Sequence, residues 1–374
     1  MPHRFPAAAQ VLSLTNPLGL YIHIPFCISK CNYCDFYSVA VTDKLKKDYV
    51  KALIREIKVW GGKLCRPINT VYFGGGTPSL LAEYLPEIMS AIKSSFKVLE
   101  GAEITMEMNP ADNSREVLEF ALKSGINRLS IGAQSGDNAE LKALGRRHTA
   151  EQTSETVSLA RDLGFNNISL DIMLGLPRSD SNILKKSLEF ITSLNPEHIS
   201  AYILKVEENT VFGRIYDALN IPDEDGTADQ YLQMCEYLEA KGYGHYEISN
   251  FAKNSLESRH NLKYWELEDY LGIGPSAHSF VNGKRFYYGR NLTDFINGTS
   301  PLPDGAGGDE EERIMLGLRL KKGIKIKFNG NLLKKCKLFE LNGLLKIKND
   351  RIILSDKGML LSNSIITEIL ECVE

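Results

Sequence analysis

From residue 19 to about 205, short apolar runs rich in β-branched residues alternate with longer stretches whose apolar positions recur at helical spacing. Leu20–Ile24, Thr70–Phe73, Glu103–Met108, Arg128–Ile131, Asn167–Ile172 and His198–Leu204 predict strands. The stretches 43–60, 80–94, 114–123, 150–163 and 182–193 predict the helices between them. Strand, helix, strand at this spacing builds right-handed parallel units. Six units are too few for a closed eight-stranded barrel, so the pattern predicts an α/β fold with a partial (β/α)6 TIM-type barrel.

Beyond residue 205 the pattern changes. Residues 225–241 predict a helix and 243–249 a strand. A passage rich in Gly, Tyr and Asn follows to about residue 305, and the loop 301–308, PLPDGAGG, reads as a linker. Past it, 310–320 and 332–341 read as helices, 344–347 and 351–354 as a hairpin across 348–350, and 357–370 as a last helix. This order predicts a small α+β, winged-helix-like module. The expected division is therefore a barrel over 1–250, a connecting segment over 251–305 and the small domain over 306–374.

Composition narrows the function classes. The net charge is −3, from 44 basic and 47 acidic residues, so the chain as a whole has no attraction for nucleic acid or membrane. No apolar run approaches the roughly 18 residues of a membrane span. Met1 to Gln10 lacks the pattern of a secretory signal, and a soluble cytoplasmic protein is expected. The exception is local: between Arg313 and Arg351 stand twelve Lys or Arg against Glu340 and Asp350. That stretch is a solvated face or a contact surface for anionic lipid, RNA or an acidic partner.

The chemistry concentrates in the cysteines. Of seven, Cys27, Cys31 and Cys34 fall within eight residues, and the other four are scattered, which argues against a disulfide framework and for a metal. Thiolates are the soft ligands that iron–sulfur clusters take. Spacings of four and three let one loop reach three irons of a cube. Position 36 is Phe36, so no fourth cysteine closes the set, and one iron stays open for a small molecule. Structural zinc fits poorly, since no histidine completes the set nearby. The loop follows the first strand, at the end of a parallel barrel where sites form.

This cysteine motif, with Tyr33 before its last member, resembles the radical SAM superfamily, which binds S-adenosylmethionine (SAM) on a 4Fe-4S cluster. Phe73-Gly-Gly-Gly-Thr-Pro78 after the second strand is similar to that superfamily's glycine motif, which holds the methionine amino group. More closely, Leu20-Tyr-Ile-His-Ile-Pro-Phe-Cys27, Glu107-Met-Asn-Pro110, Ser130-Ile-Gly-Ala-Gln134, Leu144-Gly-Arg-Arg-His148 and Asp171-Ile-Met-Leu-Gly-Leu-Pro177 resemble the group of oxygen-independent coproporphyrinogen III oxidase and its HemW-type haem-chaperone branch. The resemblance runs over nearly the whole chain. It implies that Cys27, Cys31 and Cys34 bind the cluster, and that Tyr21, Gly75, Gly76, Thr77, Glu107, Gln134, Arg146 and Asp171 contact SAM.

Two departures from the oxidases point to the chaperone branch: Phe36 stands where they carry a further cysteine, and only 26 residues precede Cys27. His260-Asn261-Leu-Lys-Tyr264-Trp265 matches the HNxxYW pattern of that branch. A neutral imidazole is a natural axial haem ligand, and Tyr or Trp can cover a porphyrin. His23, His148, His198, His245 and His278 are the other histidines open to such a role. The resemblance thus implies a chaperone that binds haem and delivers it to an acceptor protein, such as a membrane respiratory enzyme, in porphyrin metabolism. The basic C-terminal module would touch an anionic membrane surface at the cytoplasmic side. The alternatives are radical decarboxylation of coproporphyrinogen III to protoporphyrinogen and, ranked lower, RNA modification; nucleic acid is not the expected partner.

Overall fold

The computed structural model describes residues 16–112 and 114–373, so the expectation for Met1 to Gln10 lies outside the described residues. The chain divides into two compact units. The first comprises the described residues up to Gly132 together with Glu155–Asn166 and Glu268–Gly307. The second comprises Ala133–Ser154, Asn167–Leu267 and the described residues from Gly308 onward.

The six predicted strands are present as β1 (Leu18–Ile24), β2 (Pro67–Gly75), β3 (Lys97–Met108), β4 (Arg128–Gln134), β5 (Ile168–Leu174) and β6 (His198–Ile203). Ala133 and Gln134, the last residues of β4, are counted with the second unit. Later in the chain come β7 (Gly244–Glu247), β8 (Asn250–Ala252), β9 (Tyr270–Ile273), β10 (His278–Val281), β11 (Lys284–Tyr287) and β12 (Leu302–Ala306).

In the first unit β1 pairs in parallel with β2, β2 with β3, and β3 with β4. Every residue of β4 is buried, and β1 leaves only Tyr21 part-exposed. Continuous burial of this kind is what a parallel sheet covered on both faces requires. The helices Asp43–Leu64 and Arg115–Ser124 begin at side-chain caps: Thr42 accepts from the Leu45 amide and Ser114 from the Val117 amide. Gly125, at φ 90°, ends the second of these helices in the left-handed conformation that glycine adopts without cost.

In the second unit β5 and β6 are parallel, and β8 and then β7 follow antiparallel. The C-terminal residues add helices Glu310–Gly317 and Gly330–Leu341 and a three-stranded sheet. Its strands are β13 (Ile324–Lys325), β14 (Leu345–Lys348) and β15 (Arg351–Leu354), with β15 in the middle. Helix, strand, helix and hairpin make the winged-helix-like module that was expected. Its start is tied to the second unit by backbone bonds from Ile248 N to Arg319 O at 3.0 Å and from Lys321 N to Tyr246 O at 2.9 Å.

Three elements differ from expectation. The linker reading of 301–308 is corrected: Leu302–Ala306 is a strand paired antiparallel with β11. All five of its residues are exposed, so it carries no apolar alternation to mark it. The passage after residue 250 holds β9, which lies parallel to β1 with Gly19 opposite Tyr270 and Ile22 opposite Ile273. Finally, the last helix is two, Asp356–Leu360 and Ser362–Leu370.

Candidate functional site

In the first unit the three cysteines share one loop that leaves the sheet at the end of β1. A two-residue parallel bridge, Phe26–Cys27 with Val39–Ala40, closes its base, with Val39 N bonded to Pro25 O at 2.7 Å. Within the loop Cys34 N bonds to Cys31 O at 3.2 Å. Burial pushes the Cys34 thiol up, and the neighbouring Cys31 and Cys27 push it further, so the three sulfurs act on one another. Three soft donors on one loop fit an iron–sulfur cluster, whose positive irons would draw off their protons. Phe36 is 69% exposed at the end of this loop.

The glycine turn packs directly beneath. Gly76 N bonds to Ile24 O at 2.7 Å, and a Cβ at Gly76 would lie 2.5 Å from Phe26 O. Gly75 adopts φ 112°, open to glycine alone at little cost. A Cβ at Gly75 would lie 2.7 Å from the His23 ring, so both glycines let the turn press against β1 and the start of the cysteine loop. A bare backbone turn of this kind, beside the thiols, fits an amino-acid amine. Thr77 is buried, with Oγ1 accepting from Asn109 Nδ2 at 3.0 Å and lying 3.7 Å from Cys27 Sγ. Glu107 accepts from Tyr72 Oη at 2.8 Å and from Gly75 N at 3.1 Å. Its carboxylate therefore braces the glycine turn from β3.

Sequence reasoning weighed His23 only as a haem ligand, and the structure gives it another place. The ring is buried, with Nδ1 3.0 Å from Tyr21 Oη and Nε2 3.2 Å from Tyr37 O. Burial lowers its pKa to about 4, so it is neutral at ordinary pH. The carbonyl then takes the Nε2 proton, and Nδ1 accepts from Tyr21. His23 thus joins β1 to the far end of the cysteine loop, and Tyr49 Oη donates to its carbonyl at 2.6 Å. Tyr37 Oη accepts from Leu292 N at 2.8 Å, and Arg290 donates to Asp35 O at 2.7 Å. Tyr37, Tyr49 and Arg290 belong to no motif, and only the tertiary contacts reveal them.

In the second unit Gln134 is buried with φ 67°, a conformation that costs an ordinary side chain on the order of 1–3 kcal/mol. Arg146 follows the short helix Asn138–Ala143, its amide bonded to Leu141 O at 2.9 Å. Asp171 is the one residue of β5 that is not buried, opposite Ser200 on β6.

The HNxxYW residues form the helix Arg259–Trp265, capped by Ser258. His260 is fully buried, and its Nε2 lies 2.8 Å from Tyr264 Oη. Asn261, Tyr264 and Trp265 are half-buried. The cap residue's amide donates to Tyr246 Oη at 3.2 Å, which in turn lies 2.8 Å from His198 Nε2. Glu247 lies in the same strand as Tyr246, with Trp265 among its hydrogen-bond partners; burial raises its pKa to about 7. Of the remaining histidines, His148 and His245 are buried and hydrogen-bonded, while His278 is exposed and stacked on Tyr287.

Cys235, His245 and Asp356 also bring ligand-type atoms within 4.8 Å of one another. There His245 Nδ1 lies 2.9 Å and Lys321 Nζ 2.6 Å from the same Asp356 oxygen. Burial and Asp356 push the Cys235 thiol up to about 12. A cation would have to displace an ammonium and ionise that thiol, so this cluster is a Lys321–Asp356 ion pair of the C-terminal module that a hydrogen bond from His245 ties to β7.

Residues 21–191 match the model of the radical SAM superfamily, and residues 310–361 that of the HemN C-terminal domain. The fold agrees: the solved coproporphyrinogen III oxidase (HemN) of Escherichia coli, described as a radical SAM enzyme, superposes with a TM-score of 0.81 at 23% identity, covering 97% of this chain and 92% of that one. The class is thus a radical SAM fold with a HemN-type C-terminal domain. The protein named heme chaperone HemW in Lactococcus lactis subsp. lactis (strain IL1403) is 35% identical over 96% of this chain and 98% of its own. The heme chaperone HemW of Escherichia coli (strain K12) is 39% identical over 71% of this chain and 70% of its own. The chain belongs to the HemW family.

Proposed function

We propose that this protein is a haem chaperone: it binds haem and passes it to an acceptor protein, and it carries a 4Fe-4S cluster on Cys27, Cys31 and Cys34 with an exchangeable SAM. The observation that carries the reading is the loop of three thiols with Phe36, not a further cysteine, beside it, in a chain whose relatives are named heme chaperones. When bound, the cluster with SAM supplies one-electron chemistry. The chain's own residues bind and orient. In the first unit Tyr21, Gly75, Gly76, Thr77 and Glu107 are assigned to the amine end of SAM. In the second, Gln134 and Asp171 are assigned to its polar groups and Arg146 to its carboxylate, which a guanidinium can grip with two bonds.

His260 is the assigned haem ligand, with Asn261, Tyr264 and Trp265 around it. Because His260 is buried against Tyr264, ligation requires the Arg259–Trp265 helix to turn the imidazole outward. For the acceptor side, the proposed contact is an anionic membrane surface. Arg313, Lys321, Lys322 and Lys335 are paired with acids. Lys334, Lys337, Lys346 and Lys348 are exposed around Leu338 and Leu341, which are 53% and 86% exposed. Among the described residues, no helix is long and apolar enough to cross a membrane.

The test is haem titration of anaerobically reconstituted protein beside His260→Ala. Loss or displacement of the Soret band in the variant supports the ligand, and an unchanged spectrum discards it. Robust conversion of coproporphyrinogen to protoporphyrinogen in the same preparation would replace the chaperone reading by the decarboxylase one.

A further inference from the structure

β4 ends in a turn that a parallel strand does not require. Ser135 N bonds back to Ala133 O at 2.9 Å, so the chain reverses over Gln134 alone, with φ 67°. This is a γ-turn of the strained, positive-φ kind, which is rare. Gln134 has no glycine's freedom, so surrounding bonds must hold it there.

Those bonds come from side chains with no part in the ligand assignment. His148 Nε2 lies 3.1 Å from Ala133 O, the carbonyl that closes the turn. Its pKa is lowered to about 4 by burial and by Arg146, so it is neutral and donates that proton. The Ser135 hydroxyl donates to the buried Glu140 carboxyl and accepts from Asp137 N at 2.9 Å. Ser187 Oγ accepts from Gly136 N at 3.1 Å and lies 3.1 Å from Ser135 Oγ. Gly136 itself leaves no room, since a Cβ there would lie 2.8 Å from Phe190 Cβ. The same Asp137 caps the helix Asn138–Ala143 that leads to Arg146. One polar network therefore fixes the backbone at both Gln134 and Arg146.

We propose that Glu140, acting through Ser135, and His148, acting through the Ala133 carbonyl, are positioning residues that hold the Gln134 turn in the shape that meets bound SAM. This rests on the SAM reading above. It adds Glu140 and Ser135, which no motif marks, and gives His148, the end of the Leu144–His148 segment, a role other than haem ligation.

The experiment compares Glu140→Ala, Glu140→Gln and Ser187→Ala in the cluster-loaded full chain. It reads hydrogen exchange of a peptide spanning residues 133–141 without SAM, SAM affinity by calorimetry, and iron content. Glu140→Gln keeps an oxygen that accepts from Ser135. The expected result is about tenfold faster exchange and about tenfold weaker SAM binding in Glu140→Ala, with Glu140→Gln within about twofold of wild type and iron unchanged in all three. Ser187→Ala, a milder change, should move both readouts the same way. Wild-type affinity in a variant whose exchange has accelerated overturns the positioning role, as does wild-type exchange in Glu140→Ala and Ser187→Ala. If the wild-type protein takes up cluster but binds no SAM, it is the SAM assignment that fails, and the exchange data still separate a clamped turn from a loose one.

Discussion

His260 Nε2 and Tyr264 Oη lie 2.8 Å apart, one helical turn from each other, with their rings at 88°. The imidazole assigned to haem is therefore occupied by its own motif. Breaking one such bond frees about 1 kcal/mol of restraint. Tyr264→Phe is expected to bind haem about fivefold faster than wild type in stopped-flow absorbance, while His260→Ala loses the ligand band. Slower association in Tyr264→Phe would mean that the phenol holds haem rather than guards its ligand.

Removing any one of Cys27, Cys31 and Cys34 should leave the loop unable to hold a cube. Each Cys→Ser variant, reconstituted without oxygen, is expected to retain below about a quarter of wild-type iron, because two thiolates do not satisfy a cluster. Cys65→Ser, at an exposed thiol, should keep wild-type iron content.

Gly76→Ala forces a Cβ to 2.5 Å from Phe26 O, a backbone atom that cannot swing aside. The expected cost is about 1–3 kcal/mol in thermal or denaturant unfolding, accompanied by weaker SAM binding. Gly62→Ala, where no atom lies within 4 Å, should be neutral or slightly stabilising in its helix.

His23 is neutral in the fold because burial lowers its pKa from 6.5 to about 4. The unfolded chain binds the proton more readily, so stability is intact above about pH 6.5 and falls as the pH drops toward 4. At pH 5 this one residue should remove about 2 kcal/mol. In His23→Asn that part of the acid sensitivity should be missing from unfolding curves recorded between pH 7 and 5.

Glu247 has the opposite sign. Its pKa is raised by burial from 4.5 to about 7, so the folded state holds the proton more tightly than the unfolded one. Stability is fully present below about pH 4.5 and is lost as the pH rises through 7, by about 3 kcal/mol in all. Glu247→Gln should flatten the stability profile between pH 5 and 8. A profile that still falls would place the titration elsewhere.

The local pattern of the chain carried the six β/α units because each repeat advertises itself: a buried run too short for a helix, then an amphipathic stretch with a cap such as Thr42 or Ser114. The cysteine loop was legible as a loop for a similar reason, since its three thiols stand within eight consecutive positions after β1. Strand β12 was not legible, because an exposed edge strand has no buried face to impose alternation. Neither was β9, four residues whose place beside β1 depends on pairing across some 250 residues of chain.

What the sequence by itself determined about this protein is the order of its first six strands and the helices between them, the three-thiol motif of Cys27, Cys31 and Cys34, and the family to which its motifs belong. Only the tertiary structure decided which side chains hold those motifs in shape: His23 and Tyr37 behind the cysteine loop, Glu107 beneath Gly75, Glu140 and His148 around Gln134, Tyr264 against His260. The physical reason is range. A ligand set or a helical face is specified by neighbours in sequence, whereas a hydrogen bond between distant segments exists only once the backbone has brought donor and acceptor together.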